Sequence, residues 1–424
     1  MHDVRAIRMD VKRFREGLRR KGAGVDLDAV LALDRERREL LTEVEALKNR
    51  RNLLSREIGK KRKAGEDTGA KQAEVRGFGE RIADLDAKAR AAADTLHARL
   101  LEIPNLPQAE VPDGADASSN RVVREVGARP TFPFTPRPHR TIGEALGLFD
   151  FDRAARLSGA GFFLLRGAGA RLQRALVQFM LDLHVREHGF TEVAPPCLCN
   201  AAAMTGTGQL PKMAEDMYRL AGDDLYLIPT AEVPVTNLYR EEIIQEPLPI
   251  RLTACTPCFR REAGAAGRET RGLIRVHQFE KVEMVCFTAP EDSASELDAL
   301  VARAEAVLSR LDLPYRVVEL CAGDLSFAAA RCFDIELWAP GQQDWLEVSS
   351  CSNFEDFQAR RAGIRYRGPD GKPALVHTLN GSGVALPRLL VALLENGQQA
   401  DGSVAIPDAL RPYMDGAERI GPPG

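Results

Sequence analysis

"TPCFRREAGAAGRETRGLIRVHQFEKVEMV" runs from Thr256 to Val285 and holds an apolar lead-in, an arginine-rich turn crowded with glycine, and an alternating run. In an extended chain successive side chains face opposite ways. That places Arg275, His277, Phe279, Lys281 and Glu283 on one face, and Ile274, Val276, Val282 and Met284 on the other, packed on helices. Before the turn, Arg260 and Glu262 have matching parity and share a face. The turn "AGAAGRETRG" adds Arg268 and Arg271 and is long enough to close over a ligand. The charged face offers guanidinium groups that can grip phosphate, a ring that can stack on a base, and carboxylates that can accept from an exocyclic amine or an ammonium. A surface hairpin with a basic tip has similar residues, but charges on a segment central to a sheet are costly unless paired.

Outward from this stretch, residues 139–424 read as one body. "GARLQRALVQFMLDLHVREHGF" has helical periodicity through Leu172, Leu176, Phe179, Met180 and Leu183, closed by Gly189. "FTEVAPP" reads as a short strand stopped by proline, and "LDALVARAEAVLSRLD" as a helix leading into the strand "YRVVEL". "FDIELWAP" and "DWLEVSSCSNF" read as strands paired across "PGQQ", and "GVALPRLLVALLENGQQ" as a closing helix. Strands meeting through turns, with helices interspersed irregularly, predict an α+β fold: an antiparallel sheet flanked by helices. Neither G-x-G-x-x-G nor G-x-x-x-x-G-K-[ST] occurs, so a nucleotide would be held by neither common glycine-rich route.

Residues 1–104 form a different zone. Val30, Leu33, Arg37, Leu40, Val44, Leu47, Arg51, Leu54 and Ile58 recur at steps of three and four, as do Val75, Phe78, Ile82, Leu85, Ala89, Ala92, Leu96, Arg99 and Ile103. Two such seams predict an antiparallel coiled-coil arm of helices about 30 residues and ~45 Å long, joined at "KKRKAGEDTGAKQ". Lys48, Arg50, Arg51, Arg56, Lys60, Lys61, Arg62 and Lys63 stand against the single acid Glu57 in this part of the arm. A solvated helix face can look like this, but the imbalance fits a polyanion partner better. Residues 105–138, proline-rich, are expected to be an extended linker.

The 424 residues suffice for two or three domains, and the net charge of -3 does not itself advertise a nucleic-acid partner. The N-terminal stretch lacks an apolar signal core and no run is long enough to span a membrane, so a cytoplasmic location is expected. Cys197-x-Cys199 and Cys255-x-x-Cys258 could supply four thiolates to zinc, but Cys255 and Cys258 fall on an expected strand, and reduced, partly buried thiols are the expectation.

"FRREAGAAGRETRGLIRVHQFEKVE" resembles motif 2 of the class II aminoacyl-tRNA synthetases, in the form found in the seryl-tRNA synthetase family. "GFTEVAPP", with Pro196, resembles motif 1, and "TGTGQLPK" and "LIPTAEVPVTNLY" resemble the family's substrate loop and serine signature. "LEVSSCSNFEDFQARR" and "HTLNGSGVALPRLLVALLENGQ" resemble its metal/ATP strand and motif 3, and the arm its tRNA-binding domain. The likeness spans essentially the whole chain in order.

The resemblance implies that serine is joined to tRNA(Ser) through a seryl-adenylate at the expense of ATP, with tRNA(Sec) as a further candidate. Arg260 would hold the α-phosphate, Glu262 would read the adenine amine, Phe279 would stack on the ring beside Val276, and Arg388 would meet the γ-phosphate. Arg261, Val348 and Ser349 join the implied ATP site, and Glu347 and Ser350 would hold Mg²⁺. Serine would lie among Thr230, Ala231, Glu232, Arg261, Glu283 and Ser382, with no zinc. The eight basic residues named above would meet tRNA, and the assembly would be a homodimer. Pro387 stands where many relatives have glycine, so the closing helix is expected to start at a shifted position. Taken singly, Ser382 would also suit a helix cap, and "GSG" a turn. Two other readings share the synthetase body: a ligase charging a carrier protein, which would lack the arm, and an inactive RNA-binding paralogue, against which the intact Arg260, Glu283, Glu347 and Arg388 argue.

Overall fold

The computed structural model describes residues 1–263 and 272–421, so Arg268 and Arg271 of the turn lie outside the described residues. The chain divides into two compact units, Met1–Arg19 with Ala23–Pro104, and Arg20–Gly22 with Asn105–Gly424. Among the described residues no helix is long and apolar enough to cross a membrane.

The first unit opens with helices α1 (Val4–Met9) and α2 (Val11–Arg20), which the heptad reading did not foresee. The arm is the antiparallel pair α3 (Leu27–Lys63) and α4 (Gly69–Leu101). At 37 and 33 residues both helices exceed the expected length, and α3 alone spans about 55 Å. The joint shrinks to residues 64–68 because Lys60, Lys61, Arg62 and Lys63 continue α3, where cations suit the negative end of the helix dipole. Val44, Ile82 and Leu85 form the dry seam with Leu40, Leu47 and Phe78 against them. Two seam positions differ from expectation. Asp34 is buried at the base, where Arg8 and Arg38 pair with it at 2.6 and 3.1 Å. Arg99 is exposed and pairs with Glu102, while Leu100 is buried in its place.

In the second unit one large sheet contains β1 (Arg121–Val126), β2 (Thr191–Glu192), β3 (Ile250–Phe259), β4 (Gln278–Thr288), β5 (Tyr315–Glu319), β6 (Arg331–Ala339), β7 (Asp344–Asn353) and β8 (His377–Ala385). Their spatial order is β1-β5-β6-β7-β8-β4-β3-β2. Only β2 runs parallel to its neighbour; every other pairing is antiparallel. Helices α5 (His139–Ala145), α6 (Ala168–Arg186), α7 (Ser293–Arg310) and α8 (Leu386–Gly397) contribute apolar side chains to the core. Val282, Met284 and Cys286 of β4, with Ile335 and Leu337 of β6, join that core, while on the opposite face Leu252, Ala254, Val285 and Phe287 pack in a smaller apolar cluster.

The expected linker is part of this unit. Asn105 is buried and its side-chain amide donates to the carbonyls of Ala328 and Phe354. Arg121–Val126 adds the edge strand beside β5. The prolines of 104–138 forbid helix, but they do not forbid an edge strand between them. A second correction concerns Gly381, Ser382 and Gly383, which lie inside β8 rather than in a turn, so Ser382 caps no helix. Helix α8 begins at Leu386, with Pro387 in its first turn, where a missing N–H costs nothing.

Because the arm's seam is one side chain wide, Leu85→Ala should cost it about 2–4 kcal/mol. Hydrogen exchange should accelerate in Leu27–Lys63 and Gly69–Leu101 and stay unchanged in Ile250–Phe259 and His377–Ala385. Uniform acceleration across both units would contradict the independence of the seam.

Candidate active site

Beside that smaller cluster the same face of the sheet floors a cavity of about 670 Å³. Of the expected residues, Thr230, Glu232, Arg260, Glu262, Val276, Phe279, Glu347, Ser350, Ser382 and Arg388 line it. Glu283 is buried beneath Thr230 and Asn380, which donate to it at 3.1 and 3.0 Å. Arg261 is exposed and its side chain does not line the cavity. Ala231 packs in the apolar cluster beside the cavity, Val348 in the main core, and Ser349 is fully buried, donating to the Ser382 carbonyl at 2.6 Å.

Two β-bulges explain which side chains reach the cavity. Glu347 and Ser350 have opposite parity, so a straight strand would aim them to opposite faces. The register of β7 against β6 shifts between Glu347 and Ser349. This extra residue lets both face the cavity while Val348 and Cys351 both face the core. Strand β8 has a similar shift between Ser382 and Val384. It turns Ser382 to the cavity and Val384 to the core.

The stretch that opened the reading departs from simple alternation at one place. Strand β4 starts at Gln278, so residues 272–277 form a stem outside the ladder. Ile274 and Val276 therefore line the cavity together with Arg275, instead of facing the helices. Lys281 and Phe279 keep their expected face. The stem is tied to β3 by Arg260 N–H donating to the His277 carbonyl and by His277 Nδ1 donating to the Arg260 carbonyl, each at 2.9 Å. The Arg260 guanidinium lies 5.3 Å from the centre of the Phe279 ring, a cation–π distance. Glu262, whose φ of 53° is unusual for a residue with a side chain, pairs with Arg275 at 2.6 Å.

Arg388 enters from the first turn of α8. Its Nη1 donates to the Glu347 carbonyl and carboxylate at 2.7 and 2.8 Å, and its Nε to the Ile274 carbonyl at 3.2 Å. Lys281 pairs with Glu283. Three carboxyls of the cavity, Asp216, Glu232 and Asp334, form no ion pair among the described residues, and burial shifts two of them. Burial, then the nearby charge of Glu283, pushes Glu232 up to about 7, against a hydrogen bond from Gln358 that favours the anion. Burial, then the charge of Glu347, pushes Asp334 well above the usual carboxylate range.

Asp334, Asn380 and Gln358 escaped the sequence reading. Asp334 sits directly opposite Ser350 in the hairpin register, a relation that pairing "FDIELWAP" with "DWLEVSSCSNF" residue by residue could have exposed. Gln358 is fully buried and donates to Glu232 at 2.6 Å across a span that no local pattern signals. Oxygen donors from Glu347, Ser350 and Asp334 at one end of the cavity, crowded enough to shift Asp334, suit a hard divalent cation. Among the described residues no group of three or more His, Cys, Asp or Glu is placed to hold a metal through protein ligands alone. Burial pushes the Cys255 and Cys258 thiols up to about 12 and about 11, which disfavours the thiolates zinc would need.

On the arm, Lys48, Arg50 and Lys61 pair with Asp86, Glu74 and Glu66. Acids from α4 and the joint thus temper the run of charge seen along α3. Arg51 is half-buried, while Arg56, Lys60, Arg62 and Lys63 are exposed.

Residues 1–107 match the seryl-tRNA synthetase N-terminal domain family, and residues 215–397 the tRNA synthetase class II core domain family (G, H, P, S and T). A serine–tRNA ligase from Pelotomaculum thermopropionicum is 55% identical over 422 residues, covering 99% of this chain and 100% of its own length. One from Acidithiobacillus ferrooxidans is 56% identical over 416 residues, covering 98% and 99%. The crystal structure of a seryl-tRNA synthetase from Pyrococcus horikoshii complexed with ATP superposes with a TM-score of 0.94 at 37% identity, covering 100% of both chains.

Glu232 binds a proton more tightly folded than unfolded, so its contribution to stability is lost as pH rises through about 7. Glu232→Gln should therefore match the parent's stability below the ordinary carboxylate pKa and exceed it increasingly up to about pH 7. Urea unfolding across that range reads the difference, and a variant less stable than the parent at neutral pH would refute the cause given for the shift.

Proposed function

The chain belongs to the seryl-tRNA synthetase family of class II aminoacyl-tRNA synthetases, and from that premise we propose that it is a serine–tRNA ligase working through a seryl-adenylate. The observation that carries the reading is the single cavity uniting Arg260, Phe279, Glu347 and Arg388 with Thr230, Glu232 and Ser382. One end has the groups a triphosphate and an adenine require, the other those a small hydroxylated amino acid requires.

In this reading adenine stacks on Phe279 with the Arg260 guanidinium close to the same ring, and Glu262 accepts from the exocyclic amine. Arg260 grips the α-phosphate and Arg388 the γ-phosphate. Glu347 and Ser350 would hold Mg²⁺, which supplies charge neutralisation along the phosphates. Glu232 takes the serine ammonium. Glu283, Thr230 and Ser382 surround the serine hydroxyl, so alanine would leave buried polar groups unpaired and be rejected strongly. The side chains of Ala231, Val348 and Ser349 pack away from the cavity and take no direct part, while Arg261, exposed between the lining residues Arg260 and Glu262, is the cation proposed for the serine carboxylate.

The serine carboxylate is already a nucleophile and attacks the α-phosphorus in line as pyrophosphate leaves. Nothing in this step requires a side-chain base. The protein's contribution is orientation and stabilisation of charge. In the second step a terminal ribose hydroxyl of tRNA attacks the adenylate carbonyl and AMP leaves. The exposed cations Arg56, Lys60, Arg62 and Lys63 suit an RNA backbone. The partners are tRNA(Ser) and, as an extension of the same reading, tRNA(Sec); the working assembly is a cytoplasmic homodimer.

Serine-dependent ATP–pyrophosphate exchange followed by charging of bulk tRNA tests the reading. Arg260→Ala should abolish exchange, and deletion of residues 30–103 should spare exchange and abolish charging. Exchange without charging by the full chain would favour a carrier-protein ligase, and no exchange an inactive paralogue. Ionised Glu232 is the form that receives an ammonium, so the KM for serine should fall roughly tenfold per pH unit up to about pH 7 and flatten above it. Glu232→Gln should raise that KM and remove the dependence.

A further inference from the structure

The stem at residues 272–277 carries four residues of the cavity wall, Leu273, Ile274, Arg275 and Val276, yet belongs to no strand ladder, so something else must hold it. One anchor starts at Glu395, fully buried in α8. Its carboxylate accepts five hydrogen bonds at 2.8–3.2 Å: from His139 N–H and Nδ1, from Gly341 N–H, and from Gln342 N–H and Nε2. His139, itself buried, then reaches the stem, where its Nε2 lies 3.1 Å from the Leu273 amide nitrogen. That amide can only donate, so Nε2 must carry the lone pair and Nδ1 the proton, which goes to Glu395. The approach is so close that a Cβ at position 272 would lie 2.1 Å from Nε2. Gly272, with φ of 69°, is the residue that permits it.

The next residue, Ile274, accepts from Arg388 Nε through its carbonyl. Helix α8 therefore grips the stem twice: near its start through Arg388, and near its end through Glu395 and His139. We propose that His139 is a positioning residue for the nucleotide end of the cavity. By fixing Leu273 and Ile274 against α8, it sets the wall beside Phe279 and the orientation of the Arg388 guanidinium, without touching substrate. The proposal rests on the ATP-dependent reading above.

Three variants compared with the parent in ATP–pyrophosphate exchange test it. His139→Leu removes both ring hydrogen bonds and should raise the KM for ATP about tenfold, the effect of one buried hydrogen bond left unmade, with the KM for serine changed less than about twofold. His139→Gln presents an amide N–H to Glu395 and an oxygen to Leu273, and should restore the KM for ATP to within about threefold. Gln342→Leu strips one donor, the side-chain Nε2, from the same carboxylate but leaves the Leu273 bond; it should lower the melting temperature and spare the KM for ATP. Equal rises in both KM values for His139→Leu, or a rise in the KM for ATP with Gln342→Leu as large as with His139→Leu, would overturn the proposal. If His139→Leu does not fold, ¹⁵N spectra of the parent, assigned by difference from His139→Gln, decide: the expected tautomer has a protonated Nδ1 and a bare Nε2, and the reverse overturns the assignment. Absence of exchange in the parent itself would instead reject the function on which the proposal rests.

Discussion

Carboxylates on the inner face of a sheet are tolerable only when cations or N–H donors are buried with them, and the cavity is organised by that constraint. Glu347 has Arg388, Glu283 has Lys281 and Glu262 has Arg275. Glu232 and Asp334 have no such partner among the described residues, and burial drives both toward the protonated form. Asp216 also lacks an ion pair, but only at Glu232 and Asp334 does burial unbalance the acid, and these two mark the places where the proposed substrates bring positive charge, the ammonium of serine and the divalent cation that accompanies a triphosphate. A site completed by its ligands is stabilised on binding, so part of the cost of assembling it is offset only when both arrive.

The apolar pattern of the sequence was enough to find the arm, the antiparallel sheet and the helices, because burial of one stripe or one face leaves a period of its own. Parity also placed Phe279 and Lys281 on the cavity face. Periodicity fails where the backbone breaks its own rhythm. The bulges beside Glu347 and Ser382 invert the parity of everything beyond them, and nothing in "LEVSSCSNF" or "LNGSGVA" announces an inserted residue. The same limit explains Ile274 and Val276, which leave the strand and turn to the cavity. Resemblance supplied Glu347 and Ser350 together although a straight strand would part them, and the bulge is the physical reason that both face one cavity.

Other misses arise from distance along the chain. The α4 acids Asp86 and Glu74 face Lys48 and Arg50 only after the hairpin closes, so a window on α3 alone overstates the basic charge. Gln358 reaches Glu232 only in the folded body. Arg121–Val126 shows the opposite error. Its flanking prolines read as linker, yet proline restricts only its own residue and the one before it, and the segment between is free to pair as an edge.

If the chemistry needs no side-chain base, its rate depends on how firmly a few groups are held, since small displacements of a guanidinium forfeit much of the stabilisation of developing charge. Residues on β4, β7 and β8 inherit rigidity from their ladders. The stem at 272–277 does not; among the described residues backbone bonds hold it only at His277, and the position of the rest must be built from side chains. Its own His277 reaches the Arg260 carbonyl, and three outside side chains hydrogen-bond to it: Glu262 at Arg275, Arg388 at Ile274, and His139 at Leu273. Two of those ties lead back to α8, so the helix that carries Arg388 also sets the wall facing it. A shift of α8 would move guanidinium and wall together, which preserves their mutual geometry better than anchors on separate elements could.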